Sequence, residues 1–399
     1  MSATELKTAL SLALVFLLRM LPLFMVLPIL TFGGSSYTNA TASLLGLALG
    51  INGLTQACLQ IPFGMLSDRY GRKPVIAIGL LIFMTGSLVA AISDSVYGLI
   101  LGRALQGAGA VSAASIALAA DLSSEEARTK VMALIGASIG ISFPVAFIIG
   151  PLLFSSIGLS GLFYISAIAA MLAVFVLLFI VPTPEKQKET TSPSLKNVLY
   201  LIKNKALIRL DISILILHTI LMANFVVVPV LMLEEIGIPT SDHATTYIIV
   251  FLLSLLITVP LIFLGDKFNV SSKCFVISIS LLIFSQFGLY SIEPNKMYLI
   301  LMLVLFFGAF NFLESYLPAE VSKRSDPQQK GTALGIFSAS QFIGIFFGGV
   351  LGGWLYQNHD MQSVFMSNFL LALIWLALML IIPVNNLNQI NNKFEEKAV

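Results

Sequence analysis

The 399-residue sequence predicts an all-α integral membrane protein of twelve transmembrane helices in two six-helix, pseudo-symmetric halves. Three observations carry this. Hydrophobic residues make up 57% of the chain and charged residues 11%, far below the roughly 25% charged residues of a soluble domain. The apolar residues fall in blocks of about 20, the length that crosses a bilayer core. Features of the first half also recur in the second, about 200 residues on. Such a composition excludes a soluble enzyme, a disordered chain and a secreted disulfide scaffold. A net charge of +2 gives no reason to expect nucleic acid. Cys58 and Cys274 each lie in an apolar run, so no disulfide framework is implied. Three His without a Cys/His cluster imply no metal.

Taken in order, helices 1 to 6 are expected over 9–32, 44–66, 75–93, 96–121, 131–154 and 160–181. Helices 7 to 12 are expected over 207–232, 244–264, 273–292, 297–319, 332–353 and 363–383. The first block is too long for a signal peptide, holds Arg19, Pro22 and Pro28, and lacks a small-residue cleavage pattern, so it counts as a helix. Gly, Pro and Asn turns or charged runs separate most blocks. The thinnest separation, at Asp94 and Ser95, lies between helices 3 and 4. Residues 1–182 thus form an N-terminal half, 183–206 a cytoplasmic linker, 207–383 a C-terminal half and 384–399 an Asn-rich cytoplasmic tail. From Leu195 to Ile208 apolar residues recur at helical spacing among Lys, which suits either a membrane-surface helix or a solvated connector.

Lys and Arg set the orientation. Nineteen of the 22 fall in the loops and ends of one side, Arg19 and Arg103 lie inside helices, and Lys296 alone lies opposite, beside Asp94, Glu234, Glu235, Asp242, Glu293 and Asp360. Both termini are therefore expected in the cytoplasm, as for a multi-pass bacterial inner-membrane protein. Across the halves, Pro62, Asp68 and Arg69 recur as Pro260, Asp266 and Lys267, and Lys130, Ala133, Leu134 and Ser138 as Lys330, Ala333, Leu334 and Ser338. Gly150 recurs as Gly348. A duplicated six-helix unit points to a carrier with a site between its halves.

The strongest local signal is the run from Gly64 to Pro74 between helices 2 and 3. Gly64 permits close helix approach, Asp68 can meet a helix N-terminus, and Gly71 permits a tight turn. Arg69, Arg72 and Lys73 can pair with carboxylates and anionic headgroups. This run resembles motif A of the major facilitator superfamily, and the resemblance extends over helices 1 to 12. Leu99 to Ala110, with Arg103 and Gly107, resembles motif B, and Gly150-Pro151 resembles the core of the antiporter motif C. There the usual upstream glycines are Ala137 and Ala146, and the trailing pair is Phe154-Ser155. The run from Arg19 to Pro28, with Gly53 to Gln56, looks like the YajR-like group of drug efflux transporters. Some of that group carry an added soluble C-terminal domain, which is not expected in this sequence. The resemblance implies the major facilitator fold, a latch from Asp68 to the start of helix 11 near Gly331 and Thr332 in the outward-open state, and a pair between Arg72 and Asp121.

Ionisable groups inside a bilayer are functional candidates by default. Arg19 and His218 lie about midway along helices 1 and 7, which correspond in the repeat, so both are expected to face a central cavity. Glu314, inside helix 10, is the carboxyl group deepest within an expected span. Arg19 and Arg103 stay charged and can only bias neighbours, whereas His218 and a desolvated Glu314 can exchange protons near neutral pH. Glu314, His218 and Arg19 are therefore the proton-coupling candidates. Asn52, Gln56, Gln60, Asn224, Asn311 and Gln341 are candidate polar cavity groups, or else interhelical hydrogen bonds. Met20, Phe24, Met25, Met222, Phe225, Phe310 and Phe312 offer an adaptable apolar lining, or else core.

The reading is a monomeric secondary transporter that exports small hydrophobic or amphiphilic compounds by alternating access, driven by protons and requiring no cofactor beyond the proton gradient. Substrate, protons and membrane lipids are its expected partners. The alternative is a proton-coupled symporter for a small organic anion, with Arg19 and Arg103 as the anion-binding charges. A membrane-embedded enzyme would need a motif such as HExxH, and ATP a GxxxxGK[ST] loop; the sequence contains neither.

Overall fold

The computed structural model describes residues 3–183, 201–291, 295–326 and 329–381, and these are helical throughout their spans. Residues 184–200 of the expected linker and the whole of the tail expected over 384–399 lie outside the described residues. Helix 2 is Ala42–Tyr70, helix 3 Arg72–Ile92, helix 8 Thr240–Lys267, helix 9 Ser271–Ser291, helix 10 Lys296–Arg324, helix 11 Lys330–Asn358 and helix 12 Met361–Ile381. Helix 7 is Lys205–Val230, prolonged by a wider turn to Glu235. Nearly every helix outruns its apolar block by a few residues, because polar side chains are tolerated once the helix reaches the headgroups. Caps fix several starts: Thr41, Ser95, Ser124, Asn204 and Asn295 each accept a backbone N–H of the first turn.

Four spans differ from the separate, continuous blocks expected. Helix 1 runs Ala3–Met25, turns over 26–29 around Pro28, and resumes as Leu30–Gly33. Helix 4 is split into Val96–Ala108 and Ser112–Asp121. Helices 5 and 6 join without a loop as Glu125–Phe175, with Gly158 at φ 66° as the corner between them. Fifty-one residues of straight helix would be about 77 Å long, more than twice the bilayer core, so the corner divides two spans and the described residues hold twelve. Gly71, at φ 98°, makes the tight turn between helices 2 and 3.

The two halves meet closely on the outer side. A Cβ on Gly46 would collide with the Gly349 carbonyl, one on Gly50 would lie 2.7 Å from the Phe346 carbonyl, and one on Gly353 2.6 Å from that of Ala42. Helix 2 thus touches helix 11 backbone to backbone. Helix 5 meets helix 8 through Phe147 against Tyr247 and Phe251, with centroids 5.1 and 5.7 Å apart. On helix 5, Gly136 and Gly140 share a face with Phe143 and Phe147; on helix 11, Gly331 and Gly335 share a face with Phe342 and Gly349. A Cβ on any of these four inner glycines meets nothing within 4 Å. The faces that close the halves together outside therefore stand open towards the cytoplasm, and the molecule is inward-open.

Gly46→Val places side-chain atoms where the helix 11 backbone now lies. Overpacking of this kind costs about 1–3 kcal/mol, which shifts the inward-open population down by roughly tenfold or more. The measurement is thiol labelling of a cysteine at Gly136, which should slow in step; unchanged labelling would show that the outer contact does not hold this state.

Candidate functional site

Helices 7, 10 and 11 bring His218, Glu314 and Gln341 together. The His218 ring is 4% exposed, and its Nδ1 donates to the Ile214 carbonyl at 3.2 Å, one turn back. That bond places the neutral ring's proton on Nδ1 and leaves Nε2 as an acceptor. Gln341 Nε2 donates to His218 Nε2 at 2.8 Å and to Glu314 Oε1 at 3.1 Å. Glu314 Oε2 lies 3.7 Å from His218 Nε2 and is buried with no hydrogen-bond partner, although the Glu314 side chain as a whole is 39% exposed. The carboxyl group is thus reached by water on one side and bare on the other. An unsatisfied buried oxygen costs about 1–3 kcal/mol. His218 Nε2 is the nearest described titratable nitrogen to that oxygen, at 3.7 Å.

Immediately outside this cluster lies an aromatic plug. Phe310 stands 5.7 Å from the His218 ring. Phe143 packs against Phe24 at 5.4 Å, Phe251 at 5.9 Å and Phe225 at 6.2 Å, so rings from helices 1, 5, 7, 8 and 10 meet at one level. Phe24 and Phe225 are in this plug, whereas Met20 is buried in a core inside the first half. Of Asn311, Nδ2 reaches Ser254 Oγ at 3.4 Å and the side chain is part-exposed.

Arg19 does not face the cavity, contrary to the sequence expectation. It is 1% exposed, and its guanidinium donates to Ser112 Oγ at 2.9 Å, Gly109 O at 3.1 Å and Gln56 Oε1 at 3.4 Å. At the break in helix 4 the Gly109 carbonyl accepts from the Val111 N–H at 2.9 Å as well as from Arg19. Gln56 is consequently internal, and Asn52, 6% exposed, is buried beside it on helix 2. Asn224 is also internal: Asn368 donates to it at 3.1 Å and to Gln286 at 3.0 Å, tying helices 7, 9 and 12 together. Arg103 donates to the Ala48 carbonyl at 3.1 Å and to Gln106 at 2.8 Å, and Gln106 to Ser87 at 2.8 Å. A Cβ on Gly107 would strike the Asn52 carbonyl, and one on Gly150 would lie 2.6 Å from that of Met25, so these glycines set the contacts of helix 4 with helix 2 and helix 5 with helix 1. Pro151 is buried in the same helix 5 turn.

At the cytoplasmic end, Arg72 forms an ion pair with Asp68, meets Asp121 Oδ2 at 3.0 Å and donates to Ser67 Oγ at 2.7 Å. Lys73 does not seek a carboxylate; it donates to the Val181 carbonyl at 2.8 Å and the Leu178 carbonyl at 3.3 Å, capping helix 6. Arg69 is exposed and lies over the Tyr70 ring. A Cβ on Gly64 has Ala113 as its neighbour, 3.9 Å away. Outside the spans, Asp360 accepts from the Ser363 backbone at 2.7 Å and hydroxyl at 2.6 Å, bonds that hold its carboxyl below the usual range and cap helix 12. Sequence reasoning passed over the helix 4 break, for which Gly107 and Gly109 were the available signal, and the Phe143 to Phe147 spacing that marks the plug.

Two like halves, closed outside, open inside and enclosing a protonatable cluster at the bottom of the opening, define a membrane carrier. The chain belongs to the Major Facilitator Superfamily, whose family model matches residues 9–237 and again 210–398. It is a secondary transporter, not an enzyme. It is 41% identical over 382 residues to inner membrane transport protein YajR of Escherichia coli, covering 94% of this chain and 83% of YajR. It is 28% identical to multidrug resistance protein MdtL of Salmonella schwarzengrund, over 52% of this chain and 54% of MdtL. Solved structures of the nucleoside transporter NupG and of the xylose transporter XylE from E. coli share the fold. Their TM-scores are 0.74 and 0.71 at 17% and 16% identity; they cover 94% and 96% of this chain, and 99% and 98% of their own.

Because Arg72 carries two carboxylates, Arg72→Asp leaves three acidic groups together and should abolish most transport. Adding Asp121→Arg restores a pair. A double-mutant cycle on transport rate should show a coupling of about 1–3 kcal/mol, and purely additive losses would show that the contact carries no energy.

Proposed function

We propose that this protein exports small hydrophobic or amphiphilic compounds across the bacterial inner membrane in exchange for protons, by alternating access and as a monomer. The observation that carries the reading is the His218–Gln341–Glu314 cluster, part-exposed at the base of the cytoplasmic opening with an unpartnered carboxylate oxygen. In the inward-open state water reaches Glu314, the proton leaves, and substrate enters against the carboxylate. In the outward-open state a periplasmic proton takes that oxygen and displaces the substrate. The aromatic plug at Phe143, Phe225 and Phe310 supplies apolar surface of variable shape beside the cluster. The names of YajR, an inner membrane transport protein, and MdtL, a multidrug resistance protein, agree with the location and the substrate class. The latch from Asp68 to the start of helix 11 belongs to the outward-open half of this cycle. Symport of an organic anion on Arg19 and Arg103 is disfavoured, since both guanidinium groups are 1% exposed and bound to neutral groups inside the first half.

In acid-loaded inverted vesicles, adding a hydrophobic substrate should release protons; symport gives none. Glu314→Gln keeps the shape and removes titration. It should exchange substrate yet lose accumulation driven by a pH gradient. If Glu314→Gln and His218→Gln both accumulate substrate as the unaltered protein does, the proton-coupling reading falls.

A further inference from the structure

Gln341 holds the cluster together, and it belongs to the helix that closes the molecule. We propose that Gln341 is the positioning residue that converts the proton state of His218 and Glu314 into movement of helix 11; the inference rests on the proton-coupled reading above. One amide nitrogen donates to both titratable groups, at 2.8 and 3.1 Å. This pattern fits one charge state. With the His218 Nδ1 proton committed to Ile214, Nε2 can only accept, and Glu314 as carboxylate can only accept, so the amide nitrogen suits both. A proton on His218 Nε2 sets donor against donor and expels the amide nitrogen. A proton on Glu314 Oε2, 3.7 Å from His218 Nε2, supplies a competing donor to the same lone pair. Either way the side chain must turn over or withdraw.

Beside Gln341 the backbone of helix 11 is packed on two faces. One turn outward from Gln341, Gly344 packs on the Leu215 carbonyl, Thr219 donates to the Gly344 carbonyl at 3.2 Å, and Gly348 lies against the Thr219 carbonyl. These contacts straddle His218 on helix 7. On its other face the same stretch of helix 11 makes the backbone contact with helix 2, through Phe346 on Gly50 and Gly349 on Gly46, that shuts the outer side. The charged and titratable groups around the cluster are few. On helix 7, Asp211 lies two turns towards the cytoplasm; on helix 10, Glu320 is paired with Arg324 at 2.7 Å, four residues beyond Tyr316; on helix 11, Lys330 is at the cytoplasmic start. From the first half, Arg19 and Arg103 are bound within their own bundle. Gln341 is thus the described side chain that bonds both proton sites and rides on the gate helix.

The test uses the full chain in lipid nanodiscs, with Cys58 and Cys274 replaced by Ser and spin labels at Tyr70 and Gly331, the facing cytoplasmic ends of helices 2 and 11. Label distance and the infrared band of protonated Glu314, assigned by its loss in Glu314→Gln, are followed from pH 5 to 9. In the otherwise unaltered protein both should titrate together. In Gln341→Leu, and in Gln341→Met should the first fail to fold, the carboxyl band should still titrate while the pH-driven change in the inward-open equilibrium shrinks by about tenfold. A distance change that still follows pH in these variants, with Glu314→Gln abolishing it, overturns the role of Gln341 and leaves the proton-coupled reading standing. Loss of the band in the Gln341 variants also overturns it, since Gln341 would then hold the proton site itself. Absence of any titration in the unaltered protein overturns both.

Discussion

Glycine against glycine, at Gly46 and Gly50 on helix 2 and Gly349 and Gly353 on helix 11, is the contact on which the state of the molecule depends. In a bilayer there is little hydrophobic drive for one helix to prefer another over lipid, so close backbone packing decides the matter. Side chains of ordinary size at these positions would hold the helices apart. With them together, the outer edges of the halves are fixed, the inner edges diverge, and the wedge between them reaches Glu314. The aromatic contacts of helices 5 and 8 close the same side by a different means, with flat rings that can slide where backbones cannot.

The buried charges divide by chemistry. Arg19 and Arg103 cannot lose a proton under ordinary conditions, and each is enclosed by carbonyls, hydroxyls and amides rather than carboxylates. Arg19 spans the break in helix 4, donating to the Gly109 carbonyl on one side and the Ser112 hydroxyl on the other. Such groups suit a fixed scaffold. Glu314, which can change charge, is 39% exposed, with the buried His218 beside it. The repeat predicts equivalence of Arg19 and His218, but equivalent depth did not give equivalent facing.

The hydropathy pattern contains the fold almost entirely, because block length and the Lys/Arg bias are both set by the bilayer. The breaks were harder to read. Helix 4 is apolar through Gly109 to Val111, and hydropathy has no means to register a carbonyl to which Arg19 donates from helix 1. Single residues behaved likewise. Charge inside a span singled out His218 and Glu314, which the structure brings within 3.7 Å of each other, while Gln56 and Asn224, equally polar and equally deep, bond within their own halves and Asn52 is buried beside Gln56. Which way a side chain points on an apolar helix depends on the rotation of that helix, and an all-round apolar surface leaves rotation unspecified. Gln341 was legible as a cavity candidate, but its bridging role arises from three helices meeting.

In the proposed cycle Asp68 must leave Arg72 and reach the start of helix 11. Arg72 is 7% exposed, and a buried guanidinium stripped of its partner costs several kcal/mol. Asp121, at 3.0 Å from Arg72 Nε, removes that obstacle, since it stays on the same half and remains as counter-ion when Asp68 departs. Asp68 gains in exchange a helix N-terminus worth about 1–2 kcal/mol, comparable with what it gives up to a cation that keeps another carboxylate. Neither end state is then strongly preferred at this end of the molecule. A carrier needs that balance, because a cluster that takes or releases a single proton can drive the equilibrium only when the latch does not outweigh it.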